Sequence, residues 1–201
     1  IKLLLSSWRN FLLQKEMLIE EEFDCTQTIA PDTNVIFAEG INGLENPYFS
    51  LLPYSKCKGE ALLIEIENNL PRNRIYKNGI IMVPWKKENQ WWVGSSYEWY
   101  FTDTMPSQKF RMQKELQLRL ILKHPFKIID HLSSVRPTNL ERRPFVGTHP
   151  IYNNIGIFNG MGTKGCSLSP YFADEFTQFL LYGKAINPLA DVKRFEKVLS
   201  R

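Results

Sequence analysis

Apolar residues recur at helical spacing from the first residues of the chain. Leu4, Trp8, Phe11 and Leu12, with Lys15, fall on one side of a helix over residues 2–18. The period then changes. Asn34 to Gly40 (NVIFAEG) is a short apolar run closed by glycine and predicts a buried strand. Leu44 to Tyr54 holds two prolines and predicts loop, and Lys58 to Glu67 (KGEALLIEIE) alternates apolar and polar near its end, as a half-buried strand does. Asn78-Gly79 lies inside the apolar stretch Arg74 to Pro84 and signals a hairpin turn. A second polar turn, Lys86 to Asn89, leads to Gln90–Tyr97, so that an antiparallel meander is predicted. Ser107 predicts the cap of a helix running to about Lys123, Phe126 to Val135 predicts another strand, and Arg136 to Pro150, with three prolines, predicts ordered loop. Ile155 to Phe158 reads as a strand. Leu168 to Leu181 reads as a helix with Leu168, Phe172, Phe176, Phe179 and Leu180 on one face and Gly183 as its stop. Asn187-Pro188 predicts the start of one more short helix. The fold class implied is α+β, a mostly antiparallel sheet with flanking helices.

Between that late strand and helix stand Gly160, Gly162 and Gly165, which spell GxGxxG. A dinucleotide fingerprint of this kind opens a βαβ unit and needs a second parallel strand with an acidic residue about twenty positions on. No strand is predicted after Leu181, and Asp191 falls in a predicted helix. The simple dinucleotide reading therefore fails. What survives is local physics: a glycine-rich turn lets backbone N–H groups approach a ligand closely, and the following helix start adds partial positive charge. The turn suits a phosphate, a carboxylate or the electron-rich edge of a reduced flavin. Glycines that merely supply positive φ explain the same pattern.

Composition narrows the classes. The 201 residues suffice for one core or two small domains, and 43% hydrophobic with 23% charged residues is ordinary for a soluble globular protein. The net charge of +4 is spread along the chain, and the longest local run, Glu20 to Glu22, is acidic, so there is no clear nucleic-acid footprint. The opening run Ile1 to Leu5 is too short and too polar to span a bilayer or serve as a signal peptide. It begins with Ile rather than Met, which suggests a start inside a longer protein. Cys25, Cys57 and Cys166 have no CxxC spacing, and His124, His131 and His149 have no metal-ligand spacing. Neither a disulfide framework nor a metal site is expected, and the cytoplasm is the simplest home. Trp85, Trp91, Trp92 and Trp99 fall within fifteen positions. They read as a sheet face of large side chains or as an aromatic wall beside a planar ligand.

Arg136 to Gly183 carries a more specific signal: Arg136-Pro137, then Pro144 with Gly147, the strand Ile155 to Phe158, the turn GMGTKG, Pro170 within the next helix, and Gly183 at its end. This order resembles the C-terminal signature of the D-amino-acid oxidase and glycine oxidase superfamily. Upstream, NVIFAEG is similar to the family strand returning to the FAD domain and ending in Gly40. KGEALLIEI is similar to the Lys/Arg-Gly strand of the substrate-domain sheet, and VGSSYEW, Val93 to Trp99, to a later sheet strand with a Gly-Ser turn and an acidic residue. The version with Thr-Lys-Gly and Ser-Pro also resembles the oxidoreductase domain of bifunctional tRNA wobble-uridine-modifying enzymes. The family opens with a strand, a GxGxxG turn and a helix that bind the ADP half of FAD, and nothing before residue 34 matches them.

The resemblance implies the C-terminal portion of an FAD-dependent oxidoreductase that oxidises an amino acid or secondary amine by hydride transfer to flavin, inactive as an isolated piece. It implies segments 1–40 (the end of a helical segment and a return strand of the FAD domain), 41–135 (the substrate-binding domain) and 136–201 (the C-terminal part of the FAD domain). It assigns Arg136 to the substrate carboxylate, and Gly40 with Gly160, Met161, Gly162, Thr163, Lys164 and Gly165 to the flavin. Tyr97 is placed at the substrate, and Arg142 and Arg143 in solvent. Two other readings stand beside it: a small-carboxylate-binding module without cofactor, and a tRNA-modifying domain.

Overall fold

The computed structural model describes residues 1–25, 27, 29–67 and 70–201. In chain order the elements are α1 (Lys2–Gln14), β1 (Val35–Phe37), β2 (Tyr54–Ile66), β3 (Tyr76–Lys77), β4 (Ile81–Pro84), β5 (Gln90–Gly94), α2 (Gln108–Ile121), β6 (Phe126–Asn139), β7 (Phe145–Thr148), β8 (Ile155–Asn159), α3 (Gly165–Tyr182) and α4 (Glu196–Leu199). Short 3-10 turns occupy Gly40–Leu44, Gly162–Lys164 and Val192–Phe195. The fold class is α+β. The residues group into two compact units, Tyr54–Leu140, and Ile1–Pro53 together with Glu141–Arg201.

The unit Tyr54–Leu140 is a five-stranded sheet in the order β3-β4-β5-β2-β6, with every pair antiparallel. The hairpin at Asn78-Gly79 and the turn after Lys86 form where the sequence puts them. The strand β2 starts earlier and lies deeper than a half-buried strand would. It is central, and Cys57 to Ile64 are buried on both faces. One face carries Leu62, Ile64 and Ile66, which close a core with Met82, Trp91 and Val93 of the neighbouring strands and Phe110 and Leu118 of α2. Each such side chain stabilises the fold by about 1.5–3 kcal/mol when fully buried. The helix is placed by its cap: Ser107 Oγ accepts the Phe110 N–H at 3.2 Å.

Arg136 to Pro150 is loop only over residues 140–144 and 149–150. The strand β6 runs on through Arg136 to Asn139, pairing Arg136 with Cys57 and Pro137 with Lys56, and β7 follows Pro144. Proline misleads here because β6 is an edge strand with β2 as its one neighbour, and an edge tolerates the missing N–H.

The other unit holds a three-stranded sheet in the order β1-β8-β7. The strands β1 and β8 are parallel, and β7 is antiparallel to β8. The helix α3 starts three residues before the predicted Leu168. Phe172 and Phe176 are buried with Val146, Ile186 and Ala190, and Leu168 and Phe179 pack at the margin, while Leu180 is exposed. Asn187-Pro188 makes a single turn, its side chain accepting the Leu189 N–H, and the last helical segment starts after Asp191, which accepts the Lys193 N–H. The helix α1 ends at Gln14 rather than 18 and buries none of its residues. Trp8 and Phe11 stack on each other at 5.2 Å between centroids.

His149 is buried beside Phe49, Tyr48 and Tyr152. Its Nδ1 accepts the backbone N–H groups of Ile151 and Tyr152 at 3.1 and 3.3 Å. Burial pushes its pKa below the ordinary 6.5, against an opposing hydrogen bond with the Tyr48 backbone. The folded state therefore holds the neutral ring, while the unfolded chain takes up a proton near its ordinary value. The stabilisation is complete above pH 6.5 and is lost as pH falls through 6.5 toward the lower folded value. The thermal midpoint is expected to fall on acidification through that window, and to fall less in His149→Gln.

Candidate functional site

Arg136 is held on the sheet face opposite the α2 core. Side chains alternate along β2, so Cys57, Gly59 and Ala61 share this face. The Arg136 guanidinium lies directly on Gly59: a Cβ there would come 2.0 Å from Nη2 and 2.2 Å from Cζ. The guanidinium also lies over the Tyr97 ring, with Cζ 4.6 Å from its centroid. Nη1 donates to the Ser96 carbonyl at 3.1 Å and lies 3.7 Å from Cys57 Sγ, and Nη2 donates to Ser95 Oγ at 3.1 Å. Nε–H and one Nη2 N–H keep no protein acceptor among the described residues. A planar cation packed against Gly59 and Tyr97 and left with free donors suits a carboxylate, which takes paired N–H bonds. Next to it, the indole of Trp92 lies over Gly94, where a Cβ would meet Cη2 at 2.7 Å and Ala61 Cβ at 3.0 Å. Of the four clustered tryptophans, Trp92 thus borders this face, while Trp91 is fully buried in the core. Tyr97 is 60% exposed, and its contact is with the guanidinium.

The glycine turn belongs to the other unit. The parallel strands β1 and β8 run out at the same end of their sheet, and the turn follows β8 there. Crevices beyond the carboxyl ends of parallel strands are where α/β sheets bind ligands. Gly160 and Gly162 have φ of +72° and +56°, a region that side chains with a Cβ enter at a cost. Asn159 builds the corner: its Nδ2 donates to the Gly40 carbonyl at 2.9 Å and its Oδ1 accepts the Gly160 N–H at 2.8 Å. Gly40 thereby lies beside the turn, although it opens a 3-10 turn rather than closing β1, which ends at Phe37. Thr163 and Lys164 are exposed, and Met161 and Gly162 are half-buried. Gly165 is the first residue of α3, whose N-terminus has no side-chain cap. The helix start adds partial positive charge beside the turn.

Lys58, Gly59 and Glu60 fall in the stretch KGEALLIEI, and Ser95 and Ser96 in VGSSYEW, which the sequence matched to family strands, but neither these nor Asn159 were singled out as site residues. The pairs Lys58-Gly59 and Gly94-Ser95 were the available signal. Among the described residues no group of His, Cys, Asp and Glu is arranged to hold a metal ion, and no helix is long and apolar enough to cross a membrane.

Comparison with solved structures shows which folds the chain resembles. Glycine oxidase from Geobacillus kaustophilus superposes with a TM-score of 0.64 at 20% identity over 78% of this chain and 44% of that one. The fold is that of part of a glycine oxidase chain. L-proline dehydrogenase from P. horikoshii shares the glycine-oxidase fold (TM-score 0.63, 16% identity, 82% of this chain and 47% of that chain). So does iminodiacetate oxidase from Chelativorans sp. BNC1 (0.58, 18% identity, 84% and 46%). The chain spans less than half the length of each of these structures. No family model matches it.

Proposed function

We propose that this chain forms part of an FAD-dependent oxidoreductase acting on an amino acid or a secondary amine that carries a carboxylate. The observation that carries the reading is the Arg136 guanidinium, packed against Gly59 and Tyr97 with N–H donors to spare. The turn after β8 fits the flavin: two glycines in the left-handed region, a corner tied by Asn159, and an uncapped 18-residue helix start. When bound, the flavin supplies a hydride acceptor for the carbon next to the amine. Arg136 orients the substrate by its acid end. The start of α3 would offer partial positive charge to the ring edge that becomes electron-rich on reduction. Both are fixed before substrate arrives, which is how a protein contributes to chemistry that the cofactor performs.

The intact natural protein is expected to be purified yellow, and acetate is expected to perturb the flavin absorption band. A colourless protein that cannot be loaded with FAD counts against the flavin. Within the turn, Gly162→Ala at φ +56° costs about 1–2 kcal/mol of backbone strain and is expected to weaken FAD binding roughly tenfold, read as loss of bound flavin on dilution.

A carboxylate-binding module without cofactor is the second reading. It is favoured by one observation: Arg136 and all its partners, Cys57, Gly59, Ser95, Ser96 and Tyr97, lie within Tyr54–Leu140. On that reading acetate binds and no flavin is held.

A further inference from the structure

Arg136 is only as well placed as the segment Ser95–Glu98 that holds it, and that segment is fastened from the opposite face of β2. Lys58 and Glu98 exchange two backbone hydrogen bonds, of 2.8 and 2.9 Å. Ser96 N donates to the Glu60 carbonyl at 3.2 Å, and Ser96 Oγ accepts the Glu60 N–H at 2.9 Å. Beneath these bonds lies a cluster of charges. The Lys58 side chain is 4% exposed, and its Nζ stands 3.7 Å from Glu60, 3.9 Å from Glu98 and 3.7 Å from Asp103.

The three carboxylates are not equivalent. Glu60 is fully buried and fixed, accepting Ser107 N at 2.6 Å and Ser107 Oγ at 2.7 Å. His131 Nε2 lies 2.9 Å from the same carboxylate without the alignment of a hydrogen bond. Glu98 and Asp103 are partly exposed, and Asp103 Oδ1 also accepts the Met105 N–H at 2.8 Å. Lys58 is thus the lysine that draws two solvent-side acids down onto a buried one. Removing a buried cation that stands within 4 Å of three acids costs far more than breaking a surface pair, and it leaves Glu60 with only Ser107 and His131 beside it.

We propose that Lys58 is a positioning residue for the Arg136 clamp. By holding Glu98 and Asp103 it keeps Ser95, Ser96 and Tyr97 seated, and through them it sets the guanidinium that receives the carboxylate. The Lys58 side chain lies on the face of β2 opposite the one that carries Arg136. The inference rests on the reading of Arg136 given above.

The test is acetate binding to the intact natural protein, followed by isothermal titration calorimetry, so that it does not depend on flavin or turnover. Lys58→Met is expected to weaken acetate at least about tenfold, Lys58→Arg to restore it to within about threefold, and Glu98→Gln to fall between them. In turnover, Lys58→Met is expected to raise KM for the carboxylate substrate while kcat at saturation stays near wild type. A merely structural lysine would lower the thermal midpoint and leave acetate affinity in the folded fraction unchanged, and that result overturns the proposal. If Lys58→Met does not fold, Glu98→Gln decides, since unchanged acetate affinity there overturns it equally. Arg136→Gln separates the two ideas. Wild-type acetate binding in Arg136→Gln removes the clamp reading and this inference with it. Lost binding in Arg136→Gln with full binding in Lys58→Met removes this inference alone.

Discussion

Arg136→Gln in the intact protein is expected to raise KM for a carboxylate-bearing substrate by about two orders of magnitude, or roughly 3 kcal/mol. A hydrogen bond to a charged group is worth about 1.5–3 kcal/mol, and Gln replaces a planar cation by a neutral amide with a single donor nitrogen. The remaining contacts of Arg136, to Ser95, Ser96 and Tyr97, lie on its other edges and face. Gln abandons these too, but they are half-exposed, so the fold is expected to survive. Steady-state kinetics with one substrate and its decarboxylated amine analogue check this: the analogue, with no acid to hold, is expected to respond to the substitution by less than about threefold. A KM within about twofold of wild type for the acid-bearing substrate contradicts the assignment.

Gly59→Ala is expected to produce much of the same defect without touching a charged group. The new Cβ would sit 2.0 Å from Nη2 and 2.3 Å from Nη1. Those atoms end a flexible side chain, so the conflict is relieved when the guanidinium swings away rather than when the strand moves. Stability is therefore expected to change little, by less than about 1 kcal/mol, while carboxylate affinity drops about tenfold or more. The double variant Gly59→Ala with Arg136→Gln is expected to be no worse than Arg136→Gln alone, because both act on one interaction. Additive losses would show that Gly59 matters for another reason.

Local chemistry was readable wherever one residue type decides it. Asn78-Gly79 announced its hairpin, Ser107 its helix cap, Gly183 its helix stop, and the glycine cluster its strand-to-helix turn, because each rests on backbone geometry that few residues satisfy. Arg136-Pro137 was readable as a motif and misleading as structure. Proline argued for loop, yet an edge strand spares the N–H that proline lacks. The failure at Asn187-Pro188 has a similar cause: the cap and proline begin a turn, but Asp191 is the residue whose side chain caps the helical segment that follows. The clamp itself was out of reach of sequence periodicity. Gly59 is critical because a side chain from β6 lies across it, and Ser95 and Ser96 matter because their segment folds back over β2. Lys58 and Glu60 interrupt an apolar run and look like errors in a buried strand until the charges around them are counted.

The most direct test is a crystal structure of the intact natural protein grown with FAD and acetate. The expected result has an acetate oxygen about 2.7–2.9 Å from an Arg136 nitrogen, and the backbone N–H groups of Gly160 to Gly165 facing the ring end of the flavin. A flavin ring bound away from that turn, or an acetate held by another cation while Arg136 stays on Ser95 and Ser96 alone, would contradict the account.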